Sequence, residues 1–290
     1  MIIGNHEFDT KNRTYVMGIL NVTPDSFSDG GRFDSVDRAL KHAERMVSEG
    51  ADIIDIGGES TRPGYTMISD EEEIDRVLPV IEAVKSHFDI PVSLDTYKSG
   101  VARAGLQAGT DLINDIWGLK YDPAMAGVIA EYNVPCCLMH NRERADYADT
   151  AIREQVADAD GWTDGNEKDA GFVTAWKEDL SETIRLAKQA GIRDEHIILD
   201  PGVGFGKTYE NNLQAIRHLD QLHTFGYPLL LGTSRKSVIG LTLGVPADER
   251  VIGTAVTTVF AVMHGCAFVR VHDVKENVQA IRMTRAILGV

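Results

Sequence analysis

Four polar residues of the sequence could together bind a flat nitrogen heterocycle. Asp95, Asn114 and Asp200 each stand where a short apolar run ends, and Lys236 follows a further run in the stretch LLLGTSRKS. Carboxylates accept hydrogen bonds, and the amide of asparagine both donates and accepts them. The N–H groups of an amino-pyrimidinone edge need such acceptors, so this set indicates a pocket for a heterocycle of that kind.

A second set of residues could hold a phosphate or a pyrophosphate. Its members are hydrogen-bond donors at the ends of other runs: Asn21, Thr61, Arg62, Arg270 and His272. Arginine presents a fork of N–H groups that matches phosphate oxygens. Because the formal charge of the chain is −15, two arginines at such positions indicate a local anion site. Ser234, just before a predicted helix start, is a further place for a ligand carboxylate.

Other polar residues are expected to serve the fold. Asp55 and Asp115 stand near the ends of runs, and we expect both to be structural hydrogen-bonding residues. The stretch DPGVGFGKT, residues 200–208, lacks the spacing of a Walker motif. Its glycines therefore predict a tight loop.

The elements that must position these residues are eight short apolar runs. They span residues 15–20, 52–56, 91–94, 111–113, 135–139, 196–199, 228–231 and 267–271. The runs are unbroken rather than alternating, as in strands of a parallel sheet covered on both faces. Amphipathic stretches with helical spacing separate them, and Gly50 and Gly191 stand where two of these helices should end.

Eight strands with intervening helices predict a (β/α)₈ or TIM barrel of the α/β class, with a doubly wound open sheet as the alternative. The carboxyl ends of barrel strands share one mouth, so both sets of polar residues would converge there. We expect one domain over residues 1–290, with residues 1–13 lying across the barrel bottom. The acidic segment 141–175, after the fifth strand, is long for a connection and is interpreted as a surface insertion.

Composition argues against several classes of protein. With 29 Lys plus Arg against 44 Asp plus Glu, general binding to nucleic acid or anionic membranes is disfavoured. The first residues lack the pattern of a signal peptide, and the longest apolar stretch, 251–266, is too short to span a bilayer. The three cysteines form neither a disulfide framework nor a zinc motif. We therefore expect a cytoplasmic protein.

Eight motifs carry a resemblance to a known family. In order they are MGILNVTPDSFSDGG, ADIIDIGGESTRPG, SLDTYK, LINDI, LMH, DPGVGFGKT, LLLGTSRKSVIG and RVHDVKE. The chain resembles the dihydropteroate synthase family from Tyr15 to its end. The resemblance implies a TIM barrel that joins 4-aminobenzoate to 6-hydroxymethyl-7,8-dihydropterin pyrophosphate in folate biosynthesis, releasing pyrophosphate. It also implies Mg²⁺ as cofactor, a homodimer, and a target of sulfonamides.

The same resemblance gives the candidate residues their roles. The pterin would contact Asp95, Asn114, Asp200, Lys236 and Met139. The pyrophosphate would contact Asn21, Thr61, Arg62, Arg270 and His272, with Asn21 as the metal ligand. The 4-aminobenzoate would contact Thr61, Pro63, Phe205, Ser234 and Lys236. Catalysis would depend on Asn21, Arg62, Lys236, Arg270 and His272, while loop 23–34 closes over the mouth.

Other functions stay open at this point. A pterin-dependent methyltransferase would share the barrel and the pterin residues, but it has no use for the pyrophosphate set. A non-catalytic pterin-binding paralogue should have lost Arg62, Arg270, His272 or Lys236, and all four are present. An aldolase with a Schiff base at Lys236 is disfavoured, because Lys236 stands at a loop or helix start rather than inside a strand.

Overall fold

The computed structural model describes residues 1–23, 32–60, 67–142 and 166–290, without the side chains of residues 32–35 and 166–170. Its main sheet has eight parallel strands, and the eight predicted runs are confirmed as these strands. They are β3 (Tyr15–Asn21), β4 (Ile53–Gly57), β5 (Val92–Asp95), β6 (Leu112–Asp115), β7 (Cys136–Met139), β8 (Ile197–Asp200), β9 (Leu230–Leu231) and β10 (Phe268–Val271). A two-stranded hairpin, β1 (Ile2–Ile3) and β2 (His6–Glu7), precedes them.

Helices separate these strands along the chain. Those of the described ranges are α1 (Arg32–Glu49), α2 (Asp70–His87), α3 (Ser99–Gln107), α4 (Met125–Tyr132), α5 (Asn166–Gln189), α6 (Tyr209–Arg217), α7 (Ser237–Leu243), α8 (Val251–Met263) and α9 (Val274–Leu288). Gly50 and Gly191 follow α1 and α5 with φ of +100° and +89°, so the predicted helix ends are confirmed. None of the described helices is both long and apolar enough to cross a membrane.

Helix α4 begins later than the sequence suggests. The pair Asp122-Pro123 reads as a cap and a first-turn proline, but the helix starts at Met125. The Asp122 carboxylate accepts the N–H groups of Ala124 at 2.9 Å and of Ser99 at 2.8 Å. Asp122 therefore stabilises a turn that precedes α4 and also ties it to the start of α3.

The sheet curls until its two edge strands almost meet. The strand order is β8-β7-β6-β5-β4-β3-β10-β9, and a bridge between Leu199 and Leu229 joins β8 to β9. The largest apolar cluster fills the space between the sheet and the surrounding helices. This nearly closed ring confirms the predicted barrel and rejects the open doubly wound sheet.

The N-terminal hairpin closes the bottom of the barrel. Ile3 and Phe8 are buried in one cluster with Met17 and Phe268, which lie at the amino end of the barrel interior. The rings of Phe8 and Phe268 are 5.7 Å apart between centroids. Apolar packing therefore occupies the bottom of the barrel, and the polar residues are left to its other end.

Candidate active site

Strand register aligns four residues of the candidate site across the mouth of the barrel. Asn21 pairs with Gly57, Gly57 with Asp95, and Asp95 with Asn114. A Cβ at Gly57 would lie 3.5 Å from the Asp95 Cβ and 3.6 Å from the Asn21 Oδ1. Gly57 thus lies between the predicted diphosphate ligand, Asn21, and the predicted pterin ligand, Asp95.

Arg270, on β10, connects two carboxylates at the centre of this mouth. Its Nε donates to Asp55 Oδ2 at 2.5 Å, and its second terminal nitrogen donates to Asp95. Asn114 also approaches Asp55 Oδ2, at 3.4 Å. The structure therefore places Arg270, predicted for the pyrophosphate set, in direct contact with the pterin set.

The charges of this cluster perturb one another. Burial raises the pKa of Asp95 to about 7, with Arg270 lowering it and Asp55 raising it. Burial acts to lower the pKa of Arg270, but Asp55 and Asp95 more than offset this effect, so its pKa is raised and it stays cationic. The Asp55 side chain is fully buried, and its Oδ1 has no hydrogen-bond partner among the described residues. An unsatisfied buried carboxylate oxygen is costly, so this atom indicates a ligand donor.

Asp200 ends β8 on the opposite wall of the mouth. Its Oδ1 accepts the N–H of Gly202 at 2.7 Å, and its Oδ2 lies 3.5 Å from where a Cβ of Gly232 would stand. Burial raises the pKa of Asp200, against the lowering effect of Lys236. Asp95, Asn114 and Asp200 are thus buried acceptors on one rim, as the sequence predicts.

Lys236 and the loop after β8 form a further side of the mouth. The Lys236 ammonium donates to the carbonyl of Val203 and lies 4.6 Å from the centre of the Phe205 ring. Phe205 and Met139 are buried in one cluster with Tyr97 and Trp117. This cluster gives the mouth an apolar, aromatic surface next to a cation, which suits an aromatic ligand with a negative group.

Ser234 and His272 come from different strand ends and meet directly. Ser234 Oγ accepts the backbone N–H of His272 at 3.1 Å and lies 3.0 Å from its Nδ1. Arg235, between Ser234 and Lys236, has a φ of +58° and donates to both oxygens of Asp273, at 3.0 and 2.5 Å. Arg235, in this strained conformation and held by Asp273, fixes the turn that places Ser234 and Lys236 at the mouth.

A buried ion cluster joins Glu59 and Ile68, which stand on the two sides of residues 61–66. The Lys98 ammonium donates to Glu59 at 2.6 Å, to Glu73 at 2.8 Å and to the carbonyl of Ile68 at 2.7 Å. Tyr97 also donates to Glu59. Thr61, Arg62 and Pro63 themselves lie outside the described residues, as do residues 24–31 of loop 23–34 and residues 143–165 of the predicted insertion.

Asn21 is the residue that the family resemblance gives as the ligand of a substrate-bound Mg²⁺. Among the described residues no three His, Cys, Asp or Glu side chains cluster as metal ligands. Asn21 offers an amide oxygen at the end of β3, 3.6 Å from where a Cβ of Gly57 would stand. Mg²⁺ takes oxygen ligands and is commonly held by substrate phosphates and few protein groups, so the residues present fit it.

Comparisons with known proteins agree with this architecture. The model of the pterin binding enzyme family matches residues 17–272, which makes the chain a member of that family of barrel proteins. A dihydropteroate synthase of Clostridium beijerinckii is 55% identical over 99% of both chains. The chain belongs to the dihydropteroate synthases, enzymes of folate biosynthesis, and the resemblance in sequence is confirmed.

Two solved structures extend the likeness to three dimensions. A dihydropteroate synthase of Clostridium difficile, crystallised in the presence of pteroic acid, is 49% identical, with a TM-score of 0.84 over 97% of this chain and 99% of its own. The enzyme of Yersinia pestis in complex with a sulfonamide drug is 42% identical, with a TM-score of 0.88 over 100% and 99%. Both share the barrel described above.

Asp55 is the residue whose place the sequence reasoning missed. The expectation that it is a hydrogen-bonding residue holds, but its partners Arg270 and Asn114 belong to the site. Strand parity could have found it, because Ile53, Asp55 and Gly57 alternate on the inner face of β4. Asp115, by contrast, accepts the N–H groups of Trp117 and Leu119 in a local turn, as expected.

Proposed function

We propose that the strand-end mouth of this chain binds 6-hydroxymethyl-7,8-dihydropterin pyrophosphate and 4-aminobenzoate and joins them as 7,8-dihydropteroate, releasing pyrophosphate. The observation that carries this proposal is the bridge from Arg270 to Asp55 and Asp95, with Asp55 Oδ1 beside it, an atom that no described residue hydrogen-bonds. Buried acceptors matched to heterocycle N–H groups and a cation in one cluster are what a pterin diphosphate needs.

The pterin ring is assigned to the acceptor rim. Asp95, Asn114 and Asp200 would take the N–H groups of the amino-pyrimidinone edge, with Asp55 as a fourth acceptor. Lys236 and Met139 would lie against the rest of the ring. Because these side chains are buried and fixed by neighbours, the pocket is organised before the ligand enters.

The diphosphate is assigned to the opposite side of Arg270. The NH1 group of Arg270 makes no hydrogen bond within the described residues, so it is available to an anion. His272, held by Ser234, and Asn21 line the same mouth. Thr61 and Arg62 remain members of this set on sequence grounds.

The 4-aminobenzoate is assigned to the side lined by Phe205, Ser234 and Lys236. Its ring would lie against Phe205, and its carboxylate would take the Ser234 hydroxyl and the Lys236 ammonium. Thr61 and Pro63 complete this pocket as proposals from the sequence. The position of Lys236 beside both Phe205 and the loop of Asp200 lets one residue border both substrates.

The chemistry then needs few protein groups. The bond between the pterin methylene carbon and the diphosphate oxygen breaks, and its electron pair leaves with the pyrophosphate. The electron-rich pterin stabilises the cation that forms, and the nitrogen lone pair of 4-aminobenzoate makes the new C–N bond. The resulting arylammonium loses a proton to water, so no strong general base is required. Arg270, His272 and Arg62 would stabilise the charge that develops on the leaving group.

Mg²⁺ is proposed as the cofactor, with Asn21 as its protein ligand. When bound, the ion would neutralise charge on the diphosphate and so favour its departure. The support for this assignment is the amide oxygen of Asn21, which stands at the strand end beside Gly57 and Asp95.

A homodimer is proposed from the apolar surface at the C-terminal helices. Large apolar side chains on α7, α8 and α9 are exposed: Leu241, Leu243, Ile252, Val256, Phe260, Met263, Met283, Ile287 and Leu288. These helices pack on one another, and a group of exposed apolar side chains on neighbouring helices is typical of an interface. Sedimentation of the wild type and of Phe260→Asp decides it, since the variant should shift toward monomer. A wild type that sediments as a monomer would reject the dimer.

The reaction is tested by pyrophosphate release from the purified chain with pterin pyrophosphate, 4-aminobenzoate and Mg²⁺. Release should require both organic substrates, with 7,8-dihydropteroate formed in equal amount. Asp200→Asn should lose most of this activity, because one carboxylate acceptor is removed. Lys188→Gln, at an exposed ion pair with Asp194 on the outer surface, serves as a control with normal activity. Release without 4-aminobenzoate, or none at all, would reject the proposal.

A further inference from the structure

Lys207, in the stretch DPGVGFGKT, is a cation whose contacts are almost all backbone carbonyls. Its ammonium donates to the carbonyls of Gly202 at 2.6 Å and Phe205 at 3.1 Å, and lies 3.4 Å from that of His140. Its fourth neighbour is His140 Nδ1, at 2.8 Å. None of these contacts is a carboxylate, so Lys207 is not one half of an ordinary salt bridge.

The ring of His140 is oriented to accept from this ammonium. Its Nε2 lies 2.9 Å from Asp179 Oδ2, and Arg142 donates to the same carboxylate oxygen. Because a carboxylate can only accept, Nε2 must carry the hydrogen that bonds Asp179, and Nδ1 of the neutral ring then accepts from Lys207. Burial lowers the pKa of His140 to about 3, in agreement with a neutral ring, and lowers the pKa of Lys207 to about 7.

The glycines of the loop turn its carbonyls toward Lys207. Gly202, Gly204 and Gly206 have φ of +71°, +88° and +55°, which residues with a Cβ rarely adopt. A Cβ at Gly202 would lie 1.7 Å from the His140 carbonyl oxygen, so the close approach also needs glycine there. The alternation of glycine in GVGFG thus wraps residues 202–205 around a single ammonium.

The other side of the same loop borders the mouth. The carbonyl of Val203 accepts from Lys236, and the Phe205 ring lies 4.6 Å from the Lys236 ammonium. A Cβ at Gly204 would lie 3.0 Å from Lys236 Cδ. The loop is therefore held between two lysines, Lys207 inside and Lys236 at the mouth.

We infer that Lys207 is a positioning residue for 4-aminobenzoate, acting by holding the 202–206 loop so that Phe205 packs against Lys236 at the site of that substrate. The inference rests on the proposed function, because it takes Phe205 and Lys236 as the lining of the 4-aminobenzoate pocket. Lys207 touches no substrate in this assignment. Its loss frees the carbonyls of Gly202 and Phe205, so Phe205 moves while Asp95 and Asn114, on other strands, do not. Asp200 accepts the N–H of Gly202 at the start of the loop, so pterin binding should change too, but by less than binding of 4-aminobenzoate.

The first test is steady-state pyrophosphate release by Lys207→Gln. Loss of the charged hydrogen bonds should raise KM for 4-aminobenzoate about 10-fold, with kcat and KM for the pterin pyrophosphate each within about 3-fold. The control is Lys120→Met, which removes a lysine bonded to the carbonyl of Asp179 but not to the loop, and should behave as the wild type. An unchanged KM for 4-aminobenzoate in Lys207→Gln overturns the inference.

A double-mutant cycle separates positioning from general loss of structure. Phe205→Ala alone should raise KM for 4-aminobenzoate about 10-fold, and adding Lys207→Gln should change it by less than about 2-fold, because the loop then has no ring to place. Independent effects would instead multiply to about 100-fold, and that result also overturns the inference.

A milder variant guards against failure to fold. His140→Gln keeps an amide that can donate to Asp179 but has no acceptor at the Nδ1 position, and it leaves Lys207 in place. KM for 4-aminobenzoate should therefore rise about 3-fold, and not in the Phe205→Ala background. No rise would reject the inference. If the wild type itself releases no pyrophosphate, the proposed function fails separately. A crystal structure of Lys207→Gln or His140→Gln then still decides whether Phe205 moves, and an unmoved Phe205 refutes the positioning role.

Discussion

Replacing Asp55 with Asn should weaken pterin binding while leaving the fold intact. Asp55 is fully buried, accepts from Arg270 at 2.5 Å, and carries the unpartnered Oδ1 that is assigned to a pterin N–H. The substitution keeps the shape but removes the charge. A hydrogen bond to a charged group contributes about 1.5–3 kcal/mol, so the affinity for a pterin without its diphosphate should fall about 10- to 150-fold.

The effect on Asp95 gives this prediction a second readout. The negative charge of Asp55 is one of the causes that raise the pKa of Asp95 to about 7, whereas Arg270 lowers it. In Asp55→Asn the charge of Arg270 still lowers the pKa of Asp95 and burial still raises it, but the raising effect of the Asp55 charge is lost. The pKa of Asp95 should therefore fall. The pH dependence of pterin binding should accordingly shift to lower pH. Calorimetric titrations of the pterin over a range of pH measure both quantities.

Asp115→Asn is the matched control for Asp55→Asn. Asp115 is as buried as Asp55 and stands at the end of β6, but within the described residues its carboxylate accepts hydrogen bonds only from the turn that follows, at Trp117 and Leu119. The control should lower the free energy of unfolding and leave pterin affinity within about 2-fold. The reasoning is refuted if Asp55→Asn binds the pterin as the wild type does, or if both variants lose affinity equally.

Three further predictions concern charge and linkage. The affinity of the wild type for the pterin should rise about 10-fold from pH 6 to pH 8, because the ionised form of Asp95 accepts the ligand N–H and its pKa is about 7. In calorimetric titrations, Asp95→Asn should abolish this dependence of the affinity on pH. Chelation of metal should abolish pyrophosphate release without lowering the temperature of unfolding, and full activity in excess chelator, after metal analysis, would remove Mg²⁺ from the proposal. In calorimetric titrations, 4-aminobenzoate should bind weakly to the free chain and about 10-fold or more tightly in the presence of Mg²⁺ and pyrophosphate. By linkage, 4-aminobenzoate should raise the affinity for pyrophosphate by the same factor. Equal affinities for 4-aminobenzoate in the two titrations would mean that the pocket is preformed.

The strands and the position of the site were predictable because both follow from local pattern. Unbroken apolar runs identify strands covered on both faces, and parallel strands of a barrel bring their carboxyl ends together. Asn21, Asp95 and Asn114 therefore fell on one rim, and register now aligns them across Gly57. No distance between them had to be known for this conclusion.

The pairing of charges was not predictable, because it joins residues far apart along the chain. Arg270 and Asp55 are separated by 215 positions and meet only when β10 and β4 curve around the same interior. Their types alone suggested an anion ligand and a structural residue. The role of Lys207 could not be predicted for a different reason. Its partners include backbone carbonyls, which every residue carries, so no residue type in the sequence indicates them.

The balance of charge inside the mouth explains why the ring and the diphosphate of the pterin substrate need different residues. Asp55, Asp95 and Asp200 share the described part of the site with the cations Arg270 and Lys236, and the pKa of Asp95 is about 7. Because carboxylates already offset these cations, the site favours the N–H edge of a pterin and gives a diphosphate little net attraction. The diphosphate therefore needs further donors at the rim, which is where Asn21, His272 and the Arg62 of the adjoining loop are assigned. A bound cation at Asn21 would thus change the affinity for the diphosphate far more than that for the ring, and comparing the two ligands with and without Mg²⁺ tests this division directly.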